Sequence, residues 1–277
     1  MQSLARRATF DLLRHPWFLT VLLVAAPAAA QLSARADLSV DGRYVWHGIS
    51  RAAGVLGQPS LAVGLQLRSV SMEGGAVFHY ELDAADPGEL SEIGVGEQQL
   101  GEENFWGRAS LDIGSLRLQS GVVRYVFHGD PTQGGLGSDR NTTEVYAALS
   151  KSGKYLHPSL QAWWDVERGG GAFVDASTYL AGLGWPFPQY AFVYAEGDVG
   201  LSLGHADFSG DGITHVGLGL GTQVAVTRTL TFGAGVRSQL NLDDATTVNG
   251  ATQRRDFNAW LWTGFTVALG GAARGQR

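Results

Sequence analysis

Charged side chains recur at alternate positions in segments whose other positions are apolar. The row runs Arg35, Asp37, Arg43, Arg68, Glu73, Glu81, Arg108, Asp112, Arg117, Arg124, Glu144, Asp165, Glu196, Asp198 and Arg237, with His79 two residues before Glu81. Spaced by two, such groups share one face of a β-strand. Two kinds of chemistry are open to them. They can line water and set the ion preference of a narrow channel, or they can pair across strands and fill the space between them. His79 and Glu81 have the spacing of a metal or acid–base pair, but the favoured reading is a hydrogen-bonded histidine on an inner face. No serine is tied by spacing to a histidine, so Ser–His nucleophilic chemistry is not expected. The acidic segment from Asp83 to Glu103 has no Asp-x-Asp-x-Asp-Gly calcium loop. It reads as a solvated surface loop, with cation attraction or a divalent ion beside lipopolysaccharide as the alternative. The expectation is a non-enzyme with no cofactor and no metal.

The elements that must hold these groups are long strands. Leu61, Val63, Leu65 and Leu67 alternate with Ala62, Gly64, Gln66 and Arg68. After a short turn, Met72, Gly74, Ala76, Phe78, Tyr80 and Leu82 alternate with Glu73, Gly75, Val77, His79 and Glu81. Runs of about 10 residues with an apolar face are what a strand crossing a membrane needs. The pattern predicts twelve strands, at 33–46, 61–68, 72–82, 105–113, 116–127, 142–150, 155–166, 172–185, 190–203, 213–226, 230–240 and 256–269. A parity flip near Ser120-Gly121 predicts a bulge in the fifth. Trp46, Trp106, Trp185, Trp260 and Trp262 fall near strand ends, where aromatic girdles sit. Trp163-Trp164 has no obvious place.

Connections alternate between about nine or more residues and about two to four, the sorting of outer-membrane barrels with periplasmic turns and extracellular loops. Closure removes the sheet edges that lipid cannot satisfy. The leader reads as a secretory signal: Arg6, Arg7 and Arg14, an apolar core from Trp17 to Ala26, and Ala28-Ala29-Ala30 before Gln31. Residues 1–30 are therefore expected to be removed, leaving 31–277 as one barrel domain. One feature departs from a standard porin: after Gly270 the sequence ends in a polar Gly-Ala-Ala-Arg-Gly-Gln-Arg run, where assembly-machinery signals finish on an aromatic residue, and Phe265 is the residue left to serve. A formal net charge of −6 gives no electrostatic case for nucleic acid.

Asp41-Gly42-Arg43-Tyr44-Val45-Trp46-His47-Gly48-Ile49-Ser50, followed by Gln58-Pro59-Ser60, resembles the opening signature of the TorF-type porins, a Gram-negative outer-membrane family. Gly121-Val122-Val123-Arg124-Tyr125 is similar to their tyrosine-rich middle strand. His47 stands where that family has Arg, and Ser60 where it has Ala. The resemblance implies a porin-like barrel and names no substrate.

The sequence thus predicts an all-β, transmembrane, antiparallel up-and-down barrel of twelve strands in the outer membrane of a Gram-negative bacterium. Arg35, Arg68, Glu73, His79, Glu81, Arg108, Asp112, Arg124, Glu144, Glu196, Asp198 and Arg237 are expected to line its lumen. The expected partners are membrane lipid, lipopolysaccharide, the assembly machinery and small hydrophilic solutes or ions. The expected function is passive diffusion with a slight cation preference from the acidic mouth. The alternative is a plugged, non-conducting barrel whose extracellular loops serve as a structural or adhesive surface.

Overall fold

The computed structural model describes residues 30–270 except 48, 53, 83–98, 130–136, 182–190, 209, 243–246, 249–250 and 253–256. The strands are β1 (Ala30–Asp41), β2 (Tyr44–Trp46), β3 (Ile49–Ala52), β4 (Leu56–Leu67), β5 (Val70–Glu81), β6 (Gln99–Ile113), β7 (Leu116–Phe127), β8 (Thr142–Lys151), β9 (Leu156–Asp165), β10 (Ala172–Ala181), β11 (Ala191–Leu203), β12 (Gly212–Ala225), β13 (Leu230–Asn241), β14 (Thr247–Val248), β15 (Ala251–Thr252) and β16 (Phe257–Gly270). Twelve of these close a barrel in the order β1-β16-β13-β12-β11-β10-β9-β8-β7-β6-β5-β4. Every strand pair of the barrel is antiparallel, and β1 closes on β16 with Asp37 opposite Thr266. Of the predicted leader, residues 1–30, positions 1–29 lie outside the described residues, and Ala30 opens β1 against Leu67.

Period two decides which face is which. Leu61, Val63, Leu111, Leu149, Leu160, Leu218, Leu220, Leu261 and Phe265 are all exposed on the outer wall. In water such a belt would be an aggregation surface; around a closed barrel it is the lipid-facing band of an outer-membrane protein. No helix among the described residues is long and apolar enough to cross a membrane.

The inner wall is built for large polar side chains by what stands opposite them. On β12, Gly217, Gly219 and Gly221 pair with Asp198, Glu196 and Tyr194 of β11. A Cβ at any of the three would collide with the opposite side chain, so each glycine is the space in which its partner lies.

The two ends differ. At one, residues 68–69, 114–115, 152–155 and 226–229 are tight turns. At the other, the connection between β1 and β4 does not leave the barrel. Its residues form the hairpin β2–β3, and Tyr44, Trp46, Ile49 and Ala52 pack with Leu56, Tyr125 and Phe127 into the one buried apolar cluster among the described residues. The first predicted strand therefore ends at Asp41, and Tyr44 and Trp46 continue its alternation inside the lumen rather than in the wall.

That hairpin corrects several expectations. β7 runs in unbroken register with both neighbours, with no bulge at Ser120-Gly121. Tyr125 and Phe127 are buried because they face the hairpin, so the end of β7 is apolar inside, and Arg124 lies on the opposite face. Trp46 is buried in the cluster, and Trp106, Trp260 and Trp262 share inward parity with Arg108, Asn258 and Thr266, so these four do not form a girdle. Trp185 lies outside the described residues. β6 starts at Gln99, six residues earlier than predicted, which moves Glu102 from the supposed acidic loop into the wall; most of that loop, 83–98, lies outside the described residues. Among the described residues, register shifts occur in the wall at His79/Tyr80 and Gly200/Leu201, and in the hairpin at Tyr44/Val45.

Candidate functional site

At the hairpin end the lumen is a dry, dense network. Glu144 of β8 is fully buried and is held from three sides. His47, at the hairpin tip, brings Nε2 to 3.3 Å from Oε2, and His205 brings Nε2 to 3.2 Å from Oε1. The Tyr125 hydroxyl donates to Oε2 at 2.9 Å. Beside it, Tyr44 donates its hydroxyl to Glu102 Oε1 at 2.9 Å, and Asn104 Nδ2 donates to the same oxygen at 2.7 Å and meets His79 Nε2 at 3.1 Å. Burial lifts the Tyr44 hydroxyl well above its ordinary pKa, and the neighbouring Glu102 charge adds to the shift, so it remains a donor.

Arg51 completes the hairpin's hold. Its guanidinium lies 3.8 Å from the Trp46 ring centroid and 5.1 Å from that of Phe127. Its nitrogens stand 3.8 Å from Glu102 and 4.0 Å from Asp207. Stacking and opposed charge together hold a buried cation. Asp207 in turn takes both Nη atoms of Arg168, at 2.7 and 2.6 Å. Burial works against the Arg168 charge, but its bonds to Asp207 and Asp165 raise its pKa above the ordinary value. Several polar atoms of this region, including Glu102 Oε2, His79 Nδ1 and Asn104 Oδ1, are buried without a hydrogen-bond partner.

The opposite half of the lumen is wet. A cavity of about 700 Å³ is lined by Arg35, Asp37, Glu73, Arg108, Asp112 and Arg117, among others. Arg35 donates Nε to Asp37 at 2.9 Å and stands 3.8 Å from Glu73. Arg108 donates Nε to the same glutamate at 2.9 Å. Asp37 also accepts from Ser60 at 3.1 Å and Thr266 at 2.6 Å, which ties the closing seam of the barrel. Asp112 and Arg117 pair at 2.6 Å near the turn end, with more than a third of each side chain exposed.

Between the two regions, on the β9–β13 side, a second cavity of about 460 Å³ reaches the hairpin at Val45 and His47. Glu196 and Arg237 form an ion pair on its wall. The Asp198 carboxylate lies 2.9 Å from His215 Nε2 and accepts from it. Asp175, Asp198 and His215 bring one ligand atom each to within 4.8 Å of one another.

Ten of the twelve residues singled out from sequence thus point inward, on walls of two kinds. His79, Glu81 and Glu144 are in the dry network, whereas Arg35, Glu73, Arg108, Asp112, Glu196, Asp198 and Arg237 border the cavities. Two are corrected. Arg68 occupies the exposed turn between β4 and β5 with φ of 54°, one residue beyond the wall. Arg124 binds Thr143 Oγ1 at 3.0 Å and pairs with Glu167 at the rim. The residues that sequence reasoning missed are His47, Arg51, Glu102, Asp175, His205 and His215. His215 stands at period two in β12, and Asp175 does so in β10, so both were open to the same reading. The others depend on where the hairpin goes.

No protein-family model matches the chain, and no curated protein does. Solved structures match the fold. An outer membrane channel from Pseudomonas putida F1 superposes with a TM-score of 0.50 at 13% identity, over 88% of this chain and 97% of that one. LpxR from Salmonella typhimurium does so with a TM-score of 0.51 at 9% identity, over 85% and 99%. The chain is similar to both in being an outer-membrane β-barrel.

Proposed function

We propose that this barrel is a narrow porin-like channel through which small hydrophilic solutes or ions diffuse, and that its own hairpin β2–β3 restricts the opening at the long-loop end. The single observation that carries the reading is the contrast in hydration along the lumen. Arg35, Glu73, Arg108, Asp112 and Arg117 keep 20–38% of their side-chain surface exposed around a cavity large enough for solute. Charges that served only to fill a closed lumen would be dry, as Glu102 and Glu144 are. A slight cation preference and a non-catalytic role belong to the same reading, as do lipid and lipopolysaccharide around the apolar belt.

The second reading, a barrel that does not conduct, is favoured by one specific observation: the hairpin seats fully buried side chains of the wall, with Arg51 only 3% exposed. The two readings separate in one experiment. Refolded protein and a variant lacking residues 44–52 are compared in a planar bilayer. A channel restricted by its hairpin gives small steps that become several-fold larger on deletion. A structural barrel gives none in the intact protein.

A further inference from the structure

The cavity beside β10 and β11 has a composition that the diffusion of solutes in general does not require. On the inner face of β10, Phe173, Asp175 and Tyr179 follow one another at even spacing, and Trp163 of β9 pairs with Phe173. Across the ladder, Asp198 of β11 brings a second carboxylate close to Asp175. Among the described residues, no lysine or arginine forms an ion pair with either aspartate. The nearby Arg237 is already committed to Glu196. His215, stacked parallel to Phe173 at 6.1 Å between centroids, meets Asp198 Oδ2 through Nε2 at 2.9 Å, so among the described residues Asp175 is the carboxylate of the pair with no basic side chain bonded to it.

Two carboxylates beside aromatic faces, in a concave space of about 460 Å³, match a small organic cation. The carboxylates supply charge and hydrogen-bond acceptors for ammonium protons. The Trp163 and Tyr179 rings supply cation–π attraction and cover the methylene stem, with Phe173 buried behind them against Phe208 and His215. A neutral sugar would leave the Asp175 carboxylate without a counter-charge, and an anion would be repelled. We infer that this cavity is a binding site for small organic ammonium solutes, centred on Asp175 and Asp198 and walled by Trp163, Phe173 and Tyr179. The inference deepens the channel reading, since it names the class of solute that would pause in the lumen, and it rests on that reading for the solute's arrival in the membrane.

The test is made on the refolded full barrel in detergent, where binding is read independently of conduction. Putrescine is titrated by calorimetry against its neutral analogue 1,4-butanediol, and Mg²⁺ and Zn²⁺ are titrated separately. The expected result is saturable putrescine binding, at least tenfold weaker or absent for butanediol. Asp175→Asn with Asp198→Asn should weaken putrescine at least tenfold while the barrel keeps its heat-modifiable mobility on a gel. The wild-type comparison of the two probes stands even if that variant does not refold. Three results would overturn the inference: no saturable putrescine binding, equal binding of butanediol, or binding of the metal ions alone. Putrescine binding without any conductance would support the site and remove the channel.

Discussion

His47 at the tip of the inner hairpin meets Glu144 of the barrel wall, 97 positions along the chain, with Nε2 3.3 Å from Oε2. This contact holds the hairpin tip to the wall on that side, and His205, which follows β11, meets the other oxygen of the same carboxylate. Replacing Glu144 by alanine leaves His47, His205 and Tyr125 without their shared acceptor. Each buried group orphaned costs about 1–3 kcal/mol. Glu144→Ala is expected to release the hairpin and raise mean conductance while the twelve-stranded wall remains. Conductance combined with gel mobility of the unboiled protein checks both halves.

Acid should act on the same contact. Burial lowers the pKa of His47 below its ordinary 6.5, and the pull of Glu144 in the other direction does not cancel this. His205 and Arg51 also lower it. A withdrawn hairpin regains the ordinary value and therefore binds more protons than a docked one. Docking is then at full strength above that value and weakens as pH falls through it. Channel openings are expected to lengthen between pH 7.5 and pH 5 in the wild type, and His47→Gln should flatten that dependence.

Charge in the wet half should govern selectivity far more than stability. Exposed or half-exposed ion pairs contribute only about 0–1 kcal/mol each. Arg108→Gln removes the cation beside Glu73 and should move the reversal potential in a salt gradient toward cations. Glu196→Gln, leaving Arg237, should move it the other way. Melting temperatures within a few degrees of wild type are expected for both.

The outer belt gives an independent check on the fold. Leu218, at the middle of β12, is 65% exposed on the lipid face. Leu218→Arg should lose about 2–4 kcal/mol of stability in a bilayer. Gly219→Val, one residue on and facing inward, should instead disturb the Glu196–Arg237 pair, because its side chain would occupy the space where Glu196 lies.

The barrel itself was legible because period two and a belt of leucines leave few other solutions. From Leu61 to Leu82 nearly every side chain sits as its parity predicts. What could not be read was the fate of Tyr44 and Trp46. They continue the alternation of β1, and only the tertiary structure shows that they turn into the lumen. That one difference carries the others. Tyr125 and Phe127 face inward because the hairpin gives them an apolar surface, and so the parity flip seen in β7 was a change of surroundings rather than a bulge. Glu102 and Glu144 are dry because the hairpin covers them. Trp106 and Trp262, expected in a girdle, are inside because glycines on neighbouring strands leave them room: Cβ atoms at Gly75, Gly233 and Gly235 would strike them.

The most direct test of the central claim is single-channel recording of the refolded protein, with and without residues 44–52, under a salt gradient. Small discrete steps with a cation-signed reversal potential, growing several-fold on deletion, are the predicted result. Silence from both proteins, each shown to be folded, would contradict it.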